Sequence, residues 1–133
     1  MNGPGLSAAV AARLRSQVPS RTVYEGAVPD GAIPARYLLV VTSEGDEAAT
    51  RACDVVNVQI PYVWVYSVSR NASPDLAARE CAWAAAAVRA ALRNWQPTEW
   101  RLRHLVSAPP GRNDTTPDTT FDAVDQYRVR SYV

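Results

Sequence analysis

Residues 73–97, SPDLAARECAWAAAAVRAALRNWQP, decide the architecture, because they carry both a complete helix start and a one-sided apolar pattern. Ser73 is placed to cap the first turn. Its hydroxyl can accept from an unpaired backbone N–H, Pro74 occupies the first helical position where its missing N–H does no harm, and Asp75 suits the positive helix end. Pro97 stops the helix, which the pattern predicts over Pro74 to about Trp95. Projected at about 100° per residue, Leu76, Trp83, Ala84, Ala87, Val88, Ala91, Leu92 and Trp95 share one side, and Asp75, Arg79, Arg89 and Arg93 the other. The alanine centre of the apolar side predicts close approach to a flat β-sheet.

The 133-residue length fits one domain, and 47% hydrophobic content supplies a modest core. All 14 basic residues are Arg, the net charge is +1, and no basic run forms. That distribution argues against a dedicated nucleic-acid binder. Two cysteines, Cys53 and Cys81, are too few for a disulfide scaffold, and neither a secretory leader pattern nor a membrane-length apolar run is present, so the expected site of synthesis is the cytoplasm.

Before the organising helix, Leu6, Val10, Leu14 and Val18 recur every fourth residue and predict an N-terminal helix ended by Pro19. A short extended piece over Thr22–Tyr24 leads to a turn at Pro29-Asp30-Gly31, where proline presets φ and glycine accepts positive φ. The apolar run Tyr37–Thr42 predicts a mid-sheet strand with both faces covered. From Asp54 to Ser69, Val58, Ile60, Tyr62, Trp64, Tyr66 and Val68 alternate with Asn57, Gln59, Pro61, Val63, Val65 and Ser67. A straight strand of that length, at about 3.3 Å per residue, outruns a compact domain of this size, so a bend or projecting arm is expected. Pro61, lacking a donor, predicts an edge position or bulge. The Tyr62, Trp64 and Tyr66 face is expected to lie at least half in the core, with the remainder at an interface.

After the helix, Trp100, Leu102, His104 and Val106 alternate with arginines and predict another strand. Ala108–Thr120, APPGRNDTTPDTT, has no apolar anchor past Ala108 and predicts a loop that is mobile or ordered only by a partner. Phe121–Val133 reads as a last strand interrupted near Asp125-Gln126. The fold expected is α/β of the α+β type: a mainly antiparallel sheet of four to five strands, with one long helix and an N-terminal helix packed on it.

No chemical motif survives scrutiny. Gly26 and Gly31 have P-loop spacing, but Ala32 and Ile33 stand where Lys and Ser/Thr must follow. One His and two separated Cys do not make a zinc site, and no cofactor is implied. His104 lacks a nucleophile signature and reads as a satisfied core or interface histidine. Asp114, Asp118 and Asp122 read as solvated acids. Glu80 falls inside the apolar arc of the helix and needs a cationic partner, either an Arg of its own chain or one across an interface. Candidate interface residues are Gln59, Pro61, Val63, Trp64, Glu80, Arg112 and Asp114.

The order of motifs is similar to that of a known family. Val23-Tyr24-Glu25-Gly26-Ala27-Val28-Pro29-Asp30-Gly31-Ala32 is followed by Arg36-Tyr37-Leu38-Leu39-Val40-Val41, the long strand and the Trp83 helix. Then come Ser107-Ala108-Pro109-Pro110-Gly111-Arg112-Asn113-Asp114 and Ala123-Val124-Asp125-Gln126-Tyr127. Together these resemble tail terminator proteins of long-tailed bacteriophages of actinobacteria, from about Leu6 to Val133. The resemblance implies helices against a mainly antiparallel sheet and no catalysis. It also implies a six-membered homo-oligomeric ring at the head-proximal end of the virion tail. Such a ring caps the major tail tube protein, offers a surface to head-completion or connector proteins, and lets DNA pass through its lumen without sequence-specific binding. Alternatives are a head-to-tail connector or stopper and, from another class, a small ligand-binding or enzymatic α/β domain.

Overall fold

The computed structural model describes residues 3–43, 61–97, 100–113 and 119–131. Two helices and five strands form an α+β fold: α1 (Gly3–Gln17), β1 (Thr22–Glu25), β2 (Arg36–Ser43), β3 (Tyr62–Asn71), α2 (Pro74–Arg93), β4 (Trp100–Arg112) and β5 (Thr119–Ser131). The sheet order is β1-β2-β3-β5-β4, with only the β1–β2 pair parallel. Since β3 and β4 each run antiparallel to β5, they point the same way. α2 therefore closes a βαβ unit split by β5.

Both helices lie on one face of the sheet. α1 buries Leu6, Val10, Leu14 and Val18, as their spacing predicts, against Val23, Leu38 and Val40. Arg13 Nε donates to the Ala91 carbonyl at 3.1 Å and ties α1 to α2. Arg15 donates to the Val23 carbonyl at 2.9 Å and ties α1 to β1. Gly26 and Gly31, at φ 78° and 102°, take the left-handed conformation that lets the chain turn between β1 and β2.

α2 starts as its sequence dictates, with the Ser73 hydroxyl accepting from Leu76 N. Its buried side is Ala77, Cys81, Ala84, Ala85, Val88, Ala91 and Leu92. That arc centres near Val88, roughly 60° around the helix from the expected one. Leu76 and Trp83, expected in the core, are instead 45% and 52% exposed. The cause lies beneath the helix, where β3 and β5 present Ser67, Ser69 and Ala123, all buried. Small residues on both sides bring the backbones together, and the Cys81 thiol reaches the Ser67 carbonyl at 3.3 Å. A Trp has no room there, and Trp83 stays outside with the Arg21 guanidinium 4.8 Å from its ring centroid.

The alternation in β3 is real, but the assignment of its faces changes. Val63, Val65, Ser67 and Ser69 are fully buried under the helices, whereas Tyr62, Trp64, Tyr66 and Val68 are half-buried on the opposite side. In β2, likewise, Leu38 and Val40 are buried while Leu39 and Val41 are half-buried, so described residues cover one face of that strand rather than two. Pro61 is neither at an edge nor in a bulge. It stands just before β3, at the end of the ladder, where its carbonyl accepts from Val129 N at 3.0 Å and its missing N–H leaves the return bond of that pair unmade. The expected arm before Pro61 lies outside the described residues.

β4 also departs from expectation. The stretch Ala108–Arg112 continues the strand instead of looping, with Ala108 opposite Val124, Gly111 opposite Asp122 and Arg112 opposite Phe121. β4 is an edge strand, with one side free of a ladder among the described residues, and the pairing slips by one residue as it passes Pro109 and Pro110. Thr119 and Thr120 are buried, and Asn113 N donates to Thr120 O at 2.7 Å. Nor is β5 interrupted at Asp125-Gln126; it pairs with both neighbours through that point.

Candidate functional site

The sequence-predicted residues do not gather at one place. Val63 is a core residue, and Trp64 lies on the opposite sheet face with Tyr62, their ring centroids 6.0 Å apart. Glu80 is on α2, on the helix side. It finds its cation within the chain, Arg36 Nη1 lying 3.1 Å from Oε1, and Asn71 Nδ2 donates to the same oxygen at 3.3 Å. Arg112 is exposed at the end of β4. Gln59 and Asp114 lie outside the described residues.

Two features stand out in their place. The first is the sheet face away from the helices. Ladder register aligns Tyr24, Leu39, Tyr66, Val124 and Ala108 in one row across all five strands, and Val41, Trp64, Gln126 and Val106 in the next. No helix among the described residues covers these rows, and the side chains within them are half-buried to exposed. Tyr24 and Tyr37 add an edge-to-face pair with centroids 5.7 Å apart.

The second feature is a polar cluster under the C-terminal half of α2. Asp125 is 1% exposed and points toward the helices because it shares the parity of Ala123 and Tyr127. Arg89 Nη1 reaches its Oδ1 at 3.3 Å, His104 Nε2 lies 3.1 Å from the same oxygen, and Ser107 Oγ donates to it. Ser107 Oγ is also 2.8 Å from His104 Nε2. His104 and Ser107 would face opposite ways in a regular strand. A one-residue bulge at Leu105, between the His104–Tyr127 and Val106–Gln126 pairs, reverses the parity and brings both beside Asp125.

Ser, His and Asp thus meet, but not as a nucleophile relay. A relay needs the hydroxyl and the carboxylate on opposite nitrogens of the imidazole, whereas here both address Nε2. The arrangement instead neutralises a buried carboxylate. Arg89, assigned from its helical position to the solvent side, flanks the buried arc and carries the compensating charge. Its role was invisible in the sequence because Asp125 is 36 residues away.

Beside the cluster, Arg89, Leu92, Arg93, Leu102, His104 and Tyr127 line a cleft of about 380 Å³. Tyr127 is 3% exposed, its ring meets that of His104 at 5.2 Å, and its hydroxyl has no hydrogen-bond partner among the described residues. Burial, reinforced by the Asp125 carboxylate, pushes the phenol pKa up, so the hydroxyl keeps its proton as a donor.

No protein-family model matches the chain, and no curated protein matches it. Among the described residues no group of His, Cys, Asp and Glu is arranged to hold a metal ion, and no helix is long and apolar enough to cross a membrane.

Proposed function

We propose that the chain is a structural virion protein, a tail terminator whose copies form a six-membered ring on the end of the tail tube. Such a ring ends tube polymerisation, joins the head-completion proteins and encloses a lumen for DNA. The observation that carries the reading is the aromatic sheet face with Trp64 at its centre, which no helix among the described residues covers. A ring joins two different surfaces of each subunit head to tail, and Tyr and Trp are the residues that supply contact area at such junctions. The motif order from Val23 to Tyr127, which resembles that of tail terminators, points this surface toward tail assembly.

The test is complementation of a terminator-deficient phage, with tail length and infectivity scored by electron microscopy. Wild-type protein should restore tails of uniform length, and folded Trp64→Glu protein should not. Normal tails without any copy of this protein would overturn the functional reading. Normal tails with folded Trp64→Glu protein would overturn the assignment of the interface alone.

A further inference from the structure

We infer that the cleft between the end of α2 and the β4–β5 ladder binds a carboxylate carried on an apolar body. The inference is independent of ring assembly. Its basis is the distribution of charge and unused donors around one cavity. Asp125 does not line the cleft, and its charge is met by Arg89, Ser107 and His104. Arg93, in the last turn of α2, lines the cleft and makes no ion pair among the described residues. Arg89, Arg93 and Asp125 together leave the site one positive charge.

One free guanidinium offers a planar fork that matches a carboxylate through two parallel hydrogen bonds. Tyr127 also lines the cleft, and its hydroxyl is a buried donor with no partner among the described residues. The walls between these groups are Leu92, Leu102 and the Tyr127 ring, which suit an aliphatic or aromatic body and disfavour a heavily hydrated dianion such as phosphate. At about 380 Å³ the cleft is at the small end of ligand sites, sized for one acid side chain, one chain terminus or one small organic acid. The shared chemistry is a monocarboxylate with an apolar substituent.

The probe is phenylacetate, titrated into full-length protein and followed by NMR at the Leu92 and Leu102 methyls and the His104 ring. Saturable shifts at these groups are expected, with phenylacetamide and inorganic phosphate producing none. Arg93→Gln, at an exposed position, should weaken phenylacetate by on the order of tenfold or more, the usual value of a hydrogen bond to a charged group. Tyr127→Phe, which removes only the hydroxyl, should weaken it by a smaller factor with the fold retained. An acetylated tripeptide ending in Phe with a free carboxylate distinguishes the sources. Its binding to the same groups identifies a polypeptide terminus as the ligand, and its exclusion while phenylacetate binds identifies a free organic acid. Equal binding of phenylacetamide, saturation by phosphate instead, unchanged affinity in folded Arg93→Gln, or no saturable shift at all would overturn the inference.

Discussion

Arg89 and Trp83 exchange the roles their side chains advertise. The indole is the largest apolar group on α2, yet it rests on the surface under Arg21, while the guanidinium reaches inward to a carboxylate that is 1% exposed. Arg89→Ala should therefore cost about 1.5–3 kcal/mol, the range for a hydrogen bond to a charged group. The loss stops short of a fully orphaned charge because Ser107 and His104 remain and Arg89 is itself 38% exposed. Trp83→Ala should cost about 1 kcal/mol or less, as for an exposed cation–π contact. Urea denaturation of the two variants checks the order, and a larger loss for Trp83→Ala would mean that the helix is rotated. Cys81 provides a second test. Burial, reinforced by Asp122, raises its thiol from 9.0 to about 11. The unfolded chain then loses this proton first, so the contribution is complete below pH 9 and is lost as pH rises toward 11. Alkylation by iodoacetamide at pH 8 should be negligible at Cys81 in native protein and rapid in urea; rapid native labelling of Cys81 would contradict its burial.

At the scale of elements, β4 shows how context overrides composition. Pro109, Pro110 and Gly111 read as loop residues, yet an edge strand tolerates them because only one side of it must pair. Proteinase K acting on native protein should spare the bonds of residues 106–112, since a strand held in a ladder cannot enter a protease cleft. Cleavage there at the rate seen in unfolded chain would remove the pairing of Ala108–Arg112 with β5. The same strand shows why the Asp125 cluster could not be read in advance. His104 and Ser107 meet only through the bulge at Leu105, and nothing in the alternation of Trp100, Leu102, His104 and Val106 announces it.

At the scale of the molecule, both helices occupy one face, and no helix among the described residues covers the aromatic face opposite. This makes Trp64 and Val63 opposite tests. Trp64→Glu changes a half-buried side chain on the open face, and the protein should remain folded while failing in tail completion. Val63→Asp places a charge in a fully buried site, where an isolated ion is too costly to retain, and should unfold the domain. Circular dichroism of both proteins separates the cases, and a folded Val63→Asp protein would mean that the faces of β3 are reversed.

Local patterns were decided by the sequence alone. The four-residue spacing from Leu6 to Val18, the Ser73-Pro74-Asp75 start, the glycine turns and the period-two alternation of β3 each depend on neighbours within a few residues, and each stands in the structure. The α+β class followed from them, because amphipathic helices and alternating strands have few ways to bury their faces together. Only tertiary structure decided which faces those were. A side chain's periodicity fixes its companions but not the surface they meet, and here the small residues Ser67, Ser69 and Ala123 drew the alanine side of α2 inward while excluding Trp83. The partners of Glu80 and Asp125 were settled in the same way, since Arg36 lies 44 residues from Glu80 and Arg89 lies 36 from Asp125. Over such separations only the folded sheet brings charge to charge.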